Sequence, residues 1–66
     1  MKLMTKAGVS EMTGYHAEHC TRLARQGKFP QPIKLGDGKG SAVRWIEAEV
    51  IAWIEQRAAA RQRYVA

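Results

Sequence analysis

The stretch from Thr13 to Trp45, TGYHAEHCTRLARQGKFPQPIKLGDGKGSAVRW, constrains this chain more than any other. Gly14 opens it with a turn, and a short helix comes next. Gly27 ends that helix by supplying the left-handed position past a helix C-terminus. Pro30 and Pro32 hold their predecessors extended, so the helix cannot resume. Beyond the prolines the chain alternates in short runs, Ile33-Lys34-Leu35 and Ala42-Val43-Arg44-Trp45, around the glycine-rich GDGKGS. Such runs pair as an antiparallel hairpin. Helix, glycine turn, helix and basic hairpin is the order expected of a small α+β, mostly α, winged helix-turn-helix.

The flanking segments complete it. Thr5 is the expected N-cap of helix one, its hydroxyl taking up an orphan amide. Val9 and Met12 then fall on one face, with Leu3 or Met4 able to pack beneath. Gly8 costs that helix about 1 kcal/mol against alanine. Helix two is expected from Ala17 to Gln26, with Cys20, Leu23 and Ala24 as a narrow apolar stripe. A third helix is expected from about Glu47 to Arg61. Ile46, Val50, Trp53, Ile54, Arg57 and Ala58 mark its buried side. Glu47 and Glu49 near its start, and Arg57 and Arg61 near its end, complement the helix dipole.

At 66 residues the chain has room for one domain, with an ordered core over about residues 4–62. So short a domain buries only about 60% of its unfolded surface. No internal disulfide can reinforce it, because Cys20 is the sole cysteine. His16, His19 and Cys20 sit on one helical turn with no second cluster, so no metal is expected. No cofactor or small-molecule ligand is expected either. Without a signal peptide or a membrane-length apolar run, the expected location is the cytoplasm, on the nucleoid through DNA.

Eleven Lys and Arg against six Asp and Glu give a formal charge of +5. Between Tyr15 and Trp45 six basic residues face two acidic ones. A basic excess gathered into one segment favours a polyanionic partner. Arg22 and Arg25 lie opposite the apolar stripe of helix two. An arginine there can span guanine O6 and N7 or clamp backbone phosphate. Glu18 can accept from cytosine N4 or simply favour the helix start. Lys39, at the tip of the glycine-rich loop, suits backbone or minor-groove contact. Arg44 alternates with core-facing Val43 and Trp45, ranking it below Lys39. His19 reads as a surface or half-buried residue, not a base reader. Phe29, Trp45, Trp53 and Cys20 read as core.

The run Gly27-Lys28-Phe29-Pro30-Gln31-Pro32-Ile33-Lys34-Leu35-Gly36, then Val43-Arg44-Trp45, then Glu49-Val50 with Trp53-Ile54, resembles the AlpA-like family of phage and prophage regulators. That family is a branch of the MerR-type winged helix-turn-helix group and is related to excisionases. Its pattern reads G-x-F-P-x-P-x-K-L-G, then R-W, then E-V-x-x-W-I, and the likeness runs from near Met4 to near Ala58. One stretch departs from it. Where the family's turn ends in Ser or Thr, this chain has His16, followed by Ala17, Glu18 and His19.

The resemblance implies sequence-specific binding of double-stranded DNA without catalysis, in transcriptional regulation within a phage or mobile element. Integrase expression is a candidate target. Helix two would enter the major groove while the hairpin grips flanking backbone. The candidate contacts are Ala17, Glu18, Thr21, Arg22, Arg25, Lys28, Lys34, Lys39 and Arg44. Self-association on DNA would add specificity that one monomer's few contacts cannot supply. Two alternatives stand beside this one: an excisionase that bends attachment-site DNA, and a protein-interaction module such as an antirepressor. GDGKGS lacks the G-x-x-x-x-G-K-[ST] spacing and following helix of a phosphate-binding loop, so it offers no nucleotide site.

Overall fold

A computed structural model of the chain describes residues 1–38 and 42–61. In chain order it contains β1 (Leu3–Met4), α1 (Lys6–Thr13), α2 (Ala17–Arg25), β2 (Ile33–Lys34), β3 (Val43–Ile46) and α3 (Glu47–Ala59). Three helices thus surround a small antiparallel sheet of order β1-β3-β2. The α+β, mostly helical, winged helix-turn-helix expected from the sequence is the fold found.

The sheet is larger than the expected two-stranded wing. Leu3 and Met4 pair with Ile46 and Trp45, while Ile33 and Lys34 pair with Arg44 and Val43. β3 is therefore the central strand, hydrogen-bonded on both edges. The ladder runs one step further at the hairpin end, where the Leu35 N–H donates to the Ala42 carbonyl at 2.9 Å. At the other end the Glu47 N–H donates to the Lys2 carbonyl at 2.9 Å. That bond matters because α3 starts directly from β3 with Ile46 at its N-cap, a side chain unable to cap. Strand pairing thus satisfies one of the orphan amides of the first helical turn. Lys2 and Glu47 also form an ion pair at 3.5 Å.

α1 starts as its sequence dictates, the Thr5 hydroxyl accepting from the Gly8 N–H at 3.0 Å. Gly14 ends it with φ 78°, its N–H donating to Ser10 O at 2.8 Å. α2 ends in a Schellman motif. The Gly27 N–H donates to Ala24 O at 3.0 Å and the Lys28 N–H to Leu23 O at 2.8 Å, with Gly27 at φ 72°. These are the two bonds that close such an ending. Gln26 is the cap, one residue short of the expected helical span, and α3 stops at Ala59, before Arg61.

The core consists of Met4, Val9, Cys20, Ala24, Phe29, Trp45 and Val50, with Leu23, Val43, Trp53 and Ile54 packed against it. Phe29 joins the two indoles edge-on, with ring centroids 6.2 Å from Trp45 and 4.8 Å from Trp53. Buried indoles need a partner for their N–H. Trp45 Nε1 donates to the Pro30 carbonyl at 2.8 Å, and Trp53 Nε1 to the Lys28 carbonyl at 3.0 Å. The proline corner is therefore fastened to both the sheet and α3. Three expected core positions differ. Met12 is exposed, because α1 turns only Val9 fully inward. Arg57 and Ala58 are exposed too. The Arg57 guanidinium instead stacks over Trp53, 5.5 Å from the ring centroid.

Candidate nucleic-acid interface

α2 stands on the core through Cys20 and Ala24, which are buried, and half-buried Leu23, which packs against that core. Its other side is thereby turned to solvent: Glu18, Arg22 and Arg25 line that side with Ala17 and Thr21. These five of the nine candidate contacts come together in one broad open hollow. The hollow is also lined by Lys6 from the start of α1, by Gly14, Tyr15 and His16 of the turn, and by His19.

The turn that aims α2 is cross-tied. Thr13 Oγ1 donates to Val9 O at 2.8 Å and accepts from the Tyr15 N–H at 3.2 Å. The Ser10 hydroxyl donates to the Tyr15 carbonyl. His16 occupies the N-cap without a side-chain hydrogen bond, as its poor capping chemistry implies. Two consecutive amides, those of His19 and Cys20, are instead taken up by the His16 carbonyl.

Charge on this face is open. Neither Arg22 nor Arg25 makes an ion pair among the described residues, although Glu18 lies four positions before Arg22. Arg22 does have a side-chain partner: its Nη2 lies 2.9 Å from His19 Nδ1. Thr21 Oγ1 donates to the Ala17 carbonyl at 3.1 Å. Its proton is thus engaged within the helix, leaving its lone pairs and methyl group as what it can offer.

The remaining candidates lie elsewhere. Lys34 is exposed on β2. Lys28 lines a second, smaller hollow beside α3 with Glu49, Trp53 and Gln56, away from the α2 face. Arg44 is half-buried, its Nη1 turned back to the carbonyl of Val43 at 2.8 Å. Lys39 lies outside the described residues. Lys6, Tyr15 and His19 line the face without being evident from the sequence as its members. For His19 spacing offers a signal, since it stands three residues before Arg22 on the same helix, an interval that meets on a helix face.

Residues 2–58 match the family described as prophage CP4-57 regulatory protein (AlpA). The chain belongs to the AlpA family. Its β1, α1, α2, hairpin and nearly all of α3 fall within the AlpA match. It is also similar to a protein of Enterobacteria phage P4, described as uncharacterized protein ORF88, with 37% identity over 62 residues and 94% of this chain covered. The chain spans 60% of that relative's length. No solved structure matches. The family's description is that of a prophage regulatory protein. Among the described residues no helix is long and apolar enough to cross a membrane.

Proposed function

We propose that this AlpA-family protein binds double-stranded DNA through the exposed face of α2 and regulates transcription in a phage or mobile element, without catalysing a reaction. The observation that carries this reading is the pair Arg22 and Arg25, on the polar side of one helix and free of carboxylate partners among the described residues. Two unneutralised guanidinium groups on the polar side of a second helix suit phosphate and guanine edges in a major groove. Lys34 on β2 adds backbone contact from the hairpin, and Lys39 follows it five positions along the sequence. The cross-tied turn supports the reading as well, because a helix read against base edges must be held at a set angle.

Salt dependence tests it. Arg22, Arg25, Lys34 and Lys39 neutralising about four phosphates give a slope of log K against log salt near −3.6 per monomer. A flat response overturns DNA binding and leaves the protein-interaction alternative. If the slope is found, paired transcription and excision assays divide a regulator from an excisionase.

A further inference from the structure

We propose that His19 is a positioning residue that holds Arg22 in place to read a guanine, an inference that rests on the DNA-binding reading above. Arg22 Nη2 lies 2.9 Å from His19 Nδ1. A guanidinium carries only donors, so Nδ1 must be the acceptor and the imidazole proton sits on Nε2. The neutral ring therefore fixes Arg22 without cancelling its charge, which a carboxylate would do. Each terminal nitrogen of the guanidinium carries two N–H groups. One donated to His19 leaves an N–H on both, enough for the two parallel bonds to guanine O6 and N7.

His19 is itself held. Its ring packs edge-on against Tyr15, with centroids 4.5 Å apart and planes at 83°. Tyr15 is tied at both backbone groups, its N–H to Thr13 Oγ1 and its carbonyl to the Ser10 hydroxyl. A chain of contacts thus runs from the α1–α2 turn through Tyr15 and His19 to the Arg22 fork. Arg25, three residues on, has no such support: among the described residues its side chain makes no hydrogen bond or ion pair. An arginine with free rotamers suits phosphate, where approach is tolerant. One locked in advance suits a base edge, where geometry decides.

The test starts from random-sequence duplexes enriched by the wild-type protein. It measures the affinity ratio of an enriched duplex to an unselected one, with the salt slope, for each variant. Arg22→Ala should abolish a guanine preference at one position. His19→Ala should reduce the ratio about fivefold, part of what a bidentate arginine–guanine pair contributes, while the salt slope holds. His19→Asn should restore most of the loss, because Oδ1 stands as many bonds from Cβ as Nδ1 does; His19→Gln, whose acceptor lies one carbon further out, should not. In an Arg22→Ala background His19→Ala should have no further effect.

An unchanged ratio in His19→Ala, equal behaviour of the Asn and Gln variants, or a loss that persists without Arg22 overturns the inference while leaving DNA binding intact. If the alanine variant melts too low to be assayed, the Asn and Gln pair decides alone. A wild-type protein that binds DNA with a salt slope but enriches no sequence overturns guanine reading. One with no salt-dependent binding overturns the DNA-binding reading itself.

Discussion

The indole N–H of Trp53 donates to the backbone carbonyl of Lys28 across 3.0 Å, joining α3 to the loop that leaves α2. Trp53 is thus half-buried packing with a polar end, whereas Trp45 is the fully enclosed indole, with 0% exposure. The two should respond differently to substitution. Trp53→Phe keeps the stacking with Phe29 and loses one neutral hydrogen bond, about 1 kcal/mol. Trp53→Ala should cost about 3 kcal/mol, the lower edge for truncating a large aromatic. Trp45→Ala should leave the domain unfolded, since so small a core supplies only about 3–5 kcal/mol in all. Thermal melts followed by circular dichroism rank the three. A Trp53→Ala variant melting like wild type but failing to bind DNA would make Trp53 a contact residue.

The glycines should split by sign. A Cβ at Gly8 would meet Thr5 Oγ1 at 3.4 Å and Met4 atoms at 3.8 Å and beyond, ordinary contact. Gly8→Ala should therefore stabilise the domain by about 0.5–1 kcal/mol, through helix propensity and a less flexible unfolded chain. That raises the melting temperature by roughly 4 °C. At Gly27, with φ 72°, nothing obstructs a Cβ, yet the backbone conformation disfavours one. Gly27→Ala should lower the melting temperature. Equal responses at the two positions would contradict the capping geometry at the end of α2.

On DNA, hairpin and helix should separate. Lys39→Ala should weaken binding to all duplexes alike and make the salt slope shallower by about one, as loss of a phosphate contact does. Thr21→Ala should shift preference at one or two base pairs with the slope unchanged. Because the Thr21 proton is already given to the Ala17 carbonyl, the preference lost should be for a base offering a donor or a methyl group. The reverse pattern in parallel competition assays would move the reading surface from α2 to the hairpin.

Much of this molecule is written in local chemistry. Thr5, Gly14 and Gly27 bound the first two helices because capping depends on a few adjacent residues, and each acts as its type prescribes. Phe29, just ahead of the proline corner, could be read as core for the same reason. β1 could not: two residues carry no period, and Leu3-Met4 becomes a strand only because β3 offers it an edge. The exposure of Met12 and Arg57 was equally hidden, since a stripe gives the direction of a helix face but not where its neighbours end. In α2, the polar residues were legible as a face. The hydrogen bond between Arg22 and His19 needed side-chain geometry.

The pairing of Leu3 with Ile46 has a further consequence, in the order of assembly. These partners stand 43 positions apart, so β1 waits for most of this fold to be synthesised before it has anything to bond. α1 and α2 can meet early, across a short turn, while the sheet closes only after β3 has left the ribosome. Until then β1, α1 and α2 make a helical pair without its floor, lacking the Trp45 indole that completes the core beneath it. Contacts this distant in sequence slow folding, because loop closure precedes any return from the contact. A nascent chain halted before Glu47 should therefore remain protease-sensitive, and one extended past α3 should become resistant in a single step.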